Sequence, residues 1–411
     1  MYGRSLKRFE VVVLIFNILL ARASLDECPA LIPAAVKSSL SNGACPLPID
    51  NASGPWPAAV SPWTHRPECE YTADRTAKYC VYTNSRHGSH GWSLISSPET
   101  AADSVRFLDI PFIPSRLNAS READPLYRIL DIPGKGKGLV ATRRIRPYEE
   151  LLLDYATIVV DIAFTTNVPS ILGYRLLRAA VDRLADPVSV LELGKSNDFA
   201  QDDVENVLRT NAFHTSLGGI PHIALYPTVS RINHACKPNA YTRFMEDKLQ
   251  VSVVSARAIE EGEEITISYI ALGQTWEERQ NKLRQWGFNC TCSLCTASKA
   301  EIAASDARRR HIESLWTQAA QAFQAGKPYH ALRFTRQIIK LLPSEDLFPM
   351  YAEQYGNMAR IYFVLGDMEN ATKYATMMLE TLALQGDIDS VRPEHYEEVW
   401  RRFKNGEELK I

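Results

Sequence analysis

Asn233-His234-Ala235-Cys236-Lys237-Pro238-Asn239 is the stretch on which the reading of this chain turns. It packs an imidazole, a thiol and two amides into seven residues, and Pro238 bars a helix across it. Glu264-Ile265-Thr266-Ile267-Ser268-Tyr269 follows, a β-prone run that ends on a tyrosine. Next comes Cys290-Thr291-Cys292-Ser293-Leu294-Cys295, three thiols at metal-ligand spacing. Upstream lies the glycine turn Lys135-Gly136-Lys137-Gly138. Glycines there let the backbone approach a ligand because no Cβ blocks it. The turn does not match the dinucleotide fingerprint and lacks the Lys-Ser/Thr of a phosphate loop.

In this order and spacing the segments resemble the SET-domain methyltransferases. A helical insert, Leu225-Tyr226-Pro227 just ahead of the N-H-x-C motif, and a helical C-terminus narrow the likeness to the SET and MYND domain subfamily. No cysteine lies between Cys80 and Cys236, so the MYND finger is missing and nothing it does is carried over. The first hundred residues have no counterpart in that subfamily. They look like the N-terminal region of secreted-looking fungal SET domain-containing proteins. The resemblance implies an α+β fold: a SET-domain β-fold of small sheets with a knot-like crossing, a helical insert, and a C-terminal all-α tetratricopeptide-like domain.

Residue roles follow from the resemblance. S-adenosylmethionine would enter one face of the crossing and a lysine side chain the other. Asn233 and His234 would bind the cofactor. Lys135, Gly136, Lys137 and Gly138 would meet its methionine end, where a lysine suits a carboxylate. Asn211 matches a subfamily position that touches the cofactor, and Phe288 would lie against the adenine. Tyr269 would be the catalytic residue beside the transfer channel, as well as a cofactor contact. The attacking amine must be neutral, and burial in an apolar channel favours that form. Cys236 joins Cys290, Cys292 and Cys295 as the four ligands of one structural Zn2+. A disulfide pair among them is the alternative.

Outward from these motifs the chain divides by composition. Residues 1–23 carry Arg4, Lys7 and Arg8, an apolar run Val11–Ala21, and Ala21-Arg22-Ala23 before Ser24. That is the layout of a secretory signal peptide, implying a secretory or extracellular location, with cytoplasm or nucleus as the alternative. Residues 24–110 are rich in Cys and Pro, with Cys28, Cys45, Cys69 and Cys80 spaced for two disulfides of open connectivity. Sequons at Asn51, Asn118, Asn289 and Asn370 allow a glycoprotein, with no glycan expected at Asn289 beside the clustered cysteines. Residues 126–270 are the expected SET domain, with a helical insert at about 165–217, where Ile171, Leu172, Leu176, Val181 and Leu184 make an apolar face. The cysteine cluster occupies 286–296.

Residues 303–411 read as helices over 306–325, 328–342, 350–365 and 368–385. Ala331 and Phe334 after Gly326 match Ala371 and Tyr374 after Gly366, a weak internal repeat. A peptide partner in the repeat groove is an expectation. Trp56, Trp63 and Trp92 read as packing residues, and Arg308-Arg309-Arg310 as a solvated helix face.

The 411 residues are 45% apolar with formal net charge −2. That excludes a largely disordered or collagen-like chain and gives no basic footprint for nucleic acid. No apolar run reaches the ~20 residues of a membrane span. The motifs imply an S-adenosylmethionine-dependent protein-lysine N-methyltransferase. The alternatives are a catalytically silent SET scaffold acting through its helices, or a methyltransferase for a small molecule or peptide.

Overall fold

A computed structural model of the protein describes residues 62–109, 125–195, 201–245 and 248–384. The signal-like segment, Cys28, Cys45, Trp56, the sequons at Asn51 and Asn118, and the chain beyond 384 lie outside the described residues.

The largest sheet has six strands. β1 (Glu68–Tyr71), β2 (Lys78–Asn84) and β3 (Trp92–Ser96) come from the early cysteine-bearing region, and α1 (Pro98–Asp103) follows them. β7 (Ile158–Asp161), β9 (Ile220–Leu225) and β8 (Phe213–Leu217) complete the sheet in the order β1-β2-β3-β7-β9-β8. β3 pairs parallel with β7, so the N-terminal strands are stitched into the sheet rather than laid upon it. Cys69 and Cys80, register partners on β1 and β2, form a disulfide.

Alternation of side chains explains why this sheet is covered on both faces. Cys80, Tyr82, Leu94, Val159 and Ala224 point into one core cluster, which also holds Trp63 and Trp92 with rings 5.4 Å apart. Tyr79, Val81, Ile95, Ile158, Val160 and Leu225 point the other way. The helical insert covers that second face: α2 (Phe164–Asn167), α3 (Ser170–Asp182), α4 (Val188–Leu191) and α5 (Asp203–Asn211).

Two details of the insert differ from the sequence reading. Ile171 is 82% exposed, because it shares the outer face of α3 with Arg175 and Arg178 while Leu176, Leu177, Ala180 and Val181 make the buried stripe. The helices also stop at Asn211 rather than running to 217. Gly218 and Gly219, both at positive φ, close a β8–β9 hairpin that requires strand on either side.

Two smaller sheets carry the motifs. β4 (Tyr127–Ile132), β5 (Gly136–Ala141), β13 (Glu264–Ile267) and β10 (Asn233–His234) form one, in the order β10-β13-β5-β4. β6 (Glu150–Tyr155), β12 (Gln250–Ser255) and β11 (Ala240–Met245) form the other. β13 ends at Ile267, so Tyr269 sits in the chain that leaves the strand.

α6 (Trp276–Leu283) leads through the cysteine segment to four long helices. These are α7 (Lys299–Gln324), α8 (Pro328–Leu341), α9 (Tyr351–Val364) and α10 (Met368–Leu384), packed as two hairpins. α7 begins earlier than the sequence suggests because Ser298 and Glu301 form a capping box. The repeat-matched Ala331 and Ala371 are both fully buried in one core. Arg309 overturns the reading of a solvated arginine run: it is 2% exposed and pairs with Glu345. Among the described residues no helix is long and apolar enough to cross a membrane.

Candidate functional site

β10 and β13 run parallel, with Asn233 opposite Thr266 and His234 opposite Ile267. β13 also pairs antiparallel with β5, which carries the glycine turn. One four-stranded sheet thus brings together three motifs that lie far apart in sequence. The lacing residue is Asn239, at the end of the opening stretch and 2% exposed. Its Oδ1 accepts the Thr266 amide N–H at 2.8 Å, and its Nδ2 donates to the Glu264 carbonyl at 2.9 Å and the Glu263 carboxylate at 3.0 Å. A buried amide satisfied on both ends holds the two segments in fixed register.

Glu264 is the electrostatic centre of this face. Its carboxylate accepts from Lys135 Nζ at 2.6 Å and from Asn233 Nδ2 at 2.9 Å. Asn233 Nδ2 also donates to the Lys137 carbonyl at 3.2 Å. Lys137 contributes backbone here, since its amine faces Asp131, its cross-strand partner, at 3.8 Å. Gly138 leaves no room for a side chain unless its neighbours shift: a Cβ would fall 2.6 Å from Ile132 Cγ1 and 2.7 Å from Asn233 Nδ2. Gly136, by contrast, has positive φ and open space where its side chain would be.

His234 Nδ1 accepts the Tyr269 backbone N–H at 3.1 Å. Its Nε2 therefore carries the proton and faces Cys236 Sγ at 3.3 Å. Burial, opposed by Cys292 and reinforced by Arg279 and Lys135, depresses its pKa to about 4, so the ring is neutral. The Tyr269 hydroxyl donates to the Ile232 carbonyl at 2.7 Å. Its ring lies 5.4 Å from those of both His234 and Trp286. Burial, and then the charge of Glu264, push the phenol above its usual range. Phe288 stands 6.4 Å from His234, on the same aromatic wall.

Asn211 sits at the rim. Its Nδ2 donates to the Gly194 and Val207 carbonyls, each at 2.7 Å, and its own carbonyl accepts from Ser230 Oγ at 3.2 Å. Trp286 Nε1 donates to the neighbouring Thr210 carbonyl at 3.0 Å, tying this rim to the Tyr269 wall.

The four late cysteines converge. Their sulfurs all lie within 4.8 Å of one another, with Cys236 3.7 Å from Cys290 and 3.5 Å from Cys295. A tetrahedral ion at about 2.3 Å from each thiolate would set sulfurs about 3.8 Å apart. The two measured separations are far longer than a disulfide bond of about 2.0 Å. The cage therefore has the dimensions of a four-thiolate metal site.

α6 clamps it. Gln280 donates to the Cys290 carbonyl at 3.0 Å and accepts the Cys290 N–H at 2.9 Å. Trp276 Nε1 donates to the Cys295 carbonyl at 3.2 Å. The Arg279 guanidinium, 2% exposed, lies 3.8 Å from Cys295 Sγ, where it would offset the negative charge of four metal-bound thiolates.

Glu264, Asn239, Trp286, Arg279 and Gln280 were not singled out by sequence reasoning. Glu264 stands out within its motif as the one charge on the strand it heads. Nothing in the sequence marks α6 as the clamp.

Residues 181–270 match the SET domain family. The chain is 27% identical over 277 residues to histone-lysine N-methyltransferase set5 of Schizosaccharomyces pombe, covering 64% of this chain and 80% of that protein. It is 43% identical over 74 residues to human histone-lysine N-methyltransferase SMYD3, covering 18% and 17% of the two chains. A SET and MYND domain-containing protein of Dictyostelium discoideum is 30% identical over 159 residues, 36% of this chain and 29% of that one. The matched stretch is thus under a third of the length of the latter two relatives. The chain carries a SET domain, and the match together with these relatives supports a protein-lysine methyltransferase.

Proposed function

We propose that this SET-domain chain is an S-adenosylmethionine-dependent protein-lysine N-methyltransferase. The observation that carries the reading is the convergence of Gly138, Asn233 and Glu264 on one small sheet, with Lys135 in the turn before it and Tyr269 in the chain leaving it. An ammonium, a carboxylate and an amide beside the open Gly136 turn suit the zwitterionic end of an amino-acid cofactor. His234, Phe288 and Trp286 offer aromatic surface for a purine.

S-adenosylmethionine, when bound, supplies an electrophilic methyl on sulfur. The chain's own residues do the rest. Tyr269, held protonated by burial and by Glu264, cannot serve as a base at neutral pH. Its oxygen instead orients the incoming amine, with the Ile232 carbonyl fixing where the hydroxyl points. Phe213, Tyr226 and Phe244, with centroids 5.5–6.1 Å apart and packed in the same core as Tyr269, offer an apolar wall for a neutral amine.

Zn2+ in the Cys236, Cys290, Cys292 and Cys295 cage would be structural, pinning the segment that carries Phe288. The Cys69–Cys80 disulfide supports passage through an oxidising compartment and hence the secretory reading of residues 1–23. A tetratricopeptide-like groove in the C-terminal helices would take a peptide partner.

The test is calorimetric titration of S-adenosylmethionine into the zinc-replete full chain, then transfer of labelled methyl to core histones as a probe acceptor. Micromolar binding is expected. Tyr269→Phe should keep binding and lower transfer at least 100-fold. No binding by folded, zinc-loaded protein would make the domain a scaffold.

A further inference from the structure

The segment that delivers Ile232 and Asn233 to the site is held from behind by a buried carboxylate. Asp154, on β6, is 6% exposed. Its Oδ2 accepts the Thr228 N–H at 2.7 Å and the Val229 N–H at 2.9 Å, and its Oδ1 accepts the Tyr155 N–H at 3.0 Å. Thr228 and Val229 open the short 3-10 turn Val229–Arg231. That turn closes through the Ser230 N–H to the Tyr226 carbonyl and the Ile232 N–H to the Val229 carbonyl. The next groups along the chain are the Ile232 carbonyl, which takes the Tyr269 hydroxyl, and the Asn233 side chain, which takes Glu264.

The turn has no side-chain cap of its own. A turn this short has little intrinsic stability, because few hydrogen bonds offset the backbone entropy lost. The two amides at its start point at β6, and only an acceptor supplied from there satisfies them in a dry environment. A single carboxylate reaching both fixes the direction in which the chain leaves the turn. β6 is the edge strand of a three-stranded sheet that holds none of the three motifs.

Resting on the reading of a cofactor site at Asn233, we propose that Asp154 is a positioning residue: by gripping the Thr228 and Val229 amides it sets the Ile232 carbonyl and Asn233 side chain for cofactor and Tyr269. Asparagine in its place keeps the shape and one acceptor oxygen, but turns an NH2 group toward an N–H.

The experiment compares the full zinc-loaded chain with Asp154→Asn. Three quantities are read: the S-adenosylmethionine dissociation constant, the unfolding midpoint, and exchange of the Thr228 and Val229 amides by NMR. The expected result is affinity weakened at least tenfold, together with faster exchange at both amides, in protein that still unfolds cooperatively. A purely structural role would lower the midpoint and leave the affinity of folded protein unchanged, and that outcome overturns the proposal.

If the variant does not fold, the unaltered chain decides. Binding and turn order are reciprocally linked, so saturating cofactor must slow exchange at Thr228 and Val229. Unchanged exchange there overturns the proposal. A wild-type chain that binds no S-adenosylmethionine fails the cofactor reading itself, which is a separate result from failure at Asp154.

Discussion

Asp154 in the strand core and Glu345 in the C-terminal helices are both buried carboxylates, and the two regions satisfy them by different means. Asp154 is met by three backbone amides. Glu345, 1% exposed, is met by side chains: Ser305 Oγ at 2.6 Å, Arg308 Nε at 2.6 Å and Arg309 Nε at 2.8 Å. Backbone amides cannot move without moving the chain, so a carboxylate bound to them fixes a path. Arginines reach from another element, so a carboxylate bound to them fixes how elements sit together. The first device suits a site, the second a joint.

The second device lies beside the cysteine cage. Arg279, beside Cys295, donates to the Gln274 carbonyl at 2.5 Å, and Arg309 donates to the same carbonyl at 3.1 Å. The Trp276 N–H bonds Asp306 on α7 at 2.8 Å. Lys237, next to Cys236, pairs with Asp346, next to Glu345, at 3.1 Å. A run of polar and charged contacts, buried at Arg279 and Arg309 and part-exposed at Lys237–Asp346, thus links the cage to the helices.

The harshest break of the comparison is Cys290→Ser. It removes one wall of the cage at the point where both regions are anchored. With zinc in the cage as proposed, the bound metal read by mass spectrometry should fall from one per chain to below a tenth, and the 286–296 segment should become protease-sensitive.

Glu345→Gln comes next, leaving Arg309 buried with its charge uncompensated. It should cost about 3–5 kcal/mol by denaturant unfolding of the helical region. The double variant Glu345→Met with Arg309→Leu should cost less than Glu345→Gln alone, because it removes both charges. Equal or greater cost in the double variant would show that the joint works by shape and not by charge.

Gly138→Ala acts only on the strand side. Its Cβ meets Ile132 and Asn233, so cofactor affinity should fall about tenfold while stability falls by about 1–3 kcal/mol.

Acid separates the two carboxylates. Burial pushes Asp154 above the usual carboxylate range, against the pull of its three amides. Burial also pushes Glu345 up, but Ser305, Arg309 and Arg308 outweigh it and the net direction is down. A glutamate lowered in the fold stabilises above its unfolded pKa of about 4.3 and loses that contribution as pH falls through the folded value. An aspartate raised in the fold protonates first and costs the fold nothing in doing so. On titration from pH 7 downward, cofactor affinity should therefore decline before the helices loosen, read by calorimetry and far-UV circular dichroism at each pH.

The smallest change lies at Gln354. It is fully buried on α9 and neither side-chain polar atom has a hydrogen-bond partner. Gln354→Met should be neutral or raise stability by about 1 kcal/mol, read as an increase in the unfolding midpoint.

The sequence by itself marked the candidate residues. The order N-H-x-C, E-x-T-x-x-Y, C-x-C-x2-C pointed to a SET domain because those residue types at those spacings have few other uses, and Lys135, Gly138, Asn233, Tyr269 and the four cysteines do converge. Periodicity likewise placed α8, α9 and α10 to within a residue at each end, and missed the first seven residues of α7, which the Ser298–Glu301 capping box brings into the helix. What only the tertiary structure decided were the partners. The aspartate of Leu153-Asp154-Tyr155 reads as a lone polar residue on an apolar strand until Thr228 and Val229 arrive from far along the chain. Arg309 reads as one of three solvated arginines until Glu345 folds beneath it. Local pattern reports which face of an element is apolar. It carries no record of which distant group will satisfy a buried charge, because that depends on two elements meeting in space.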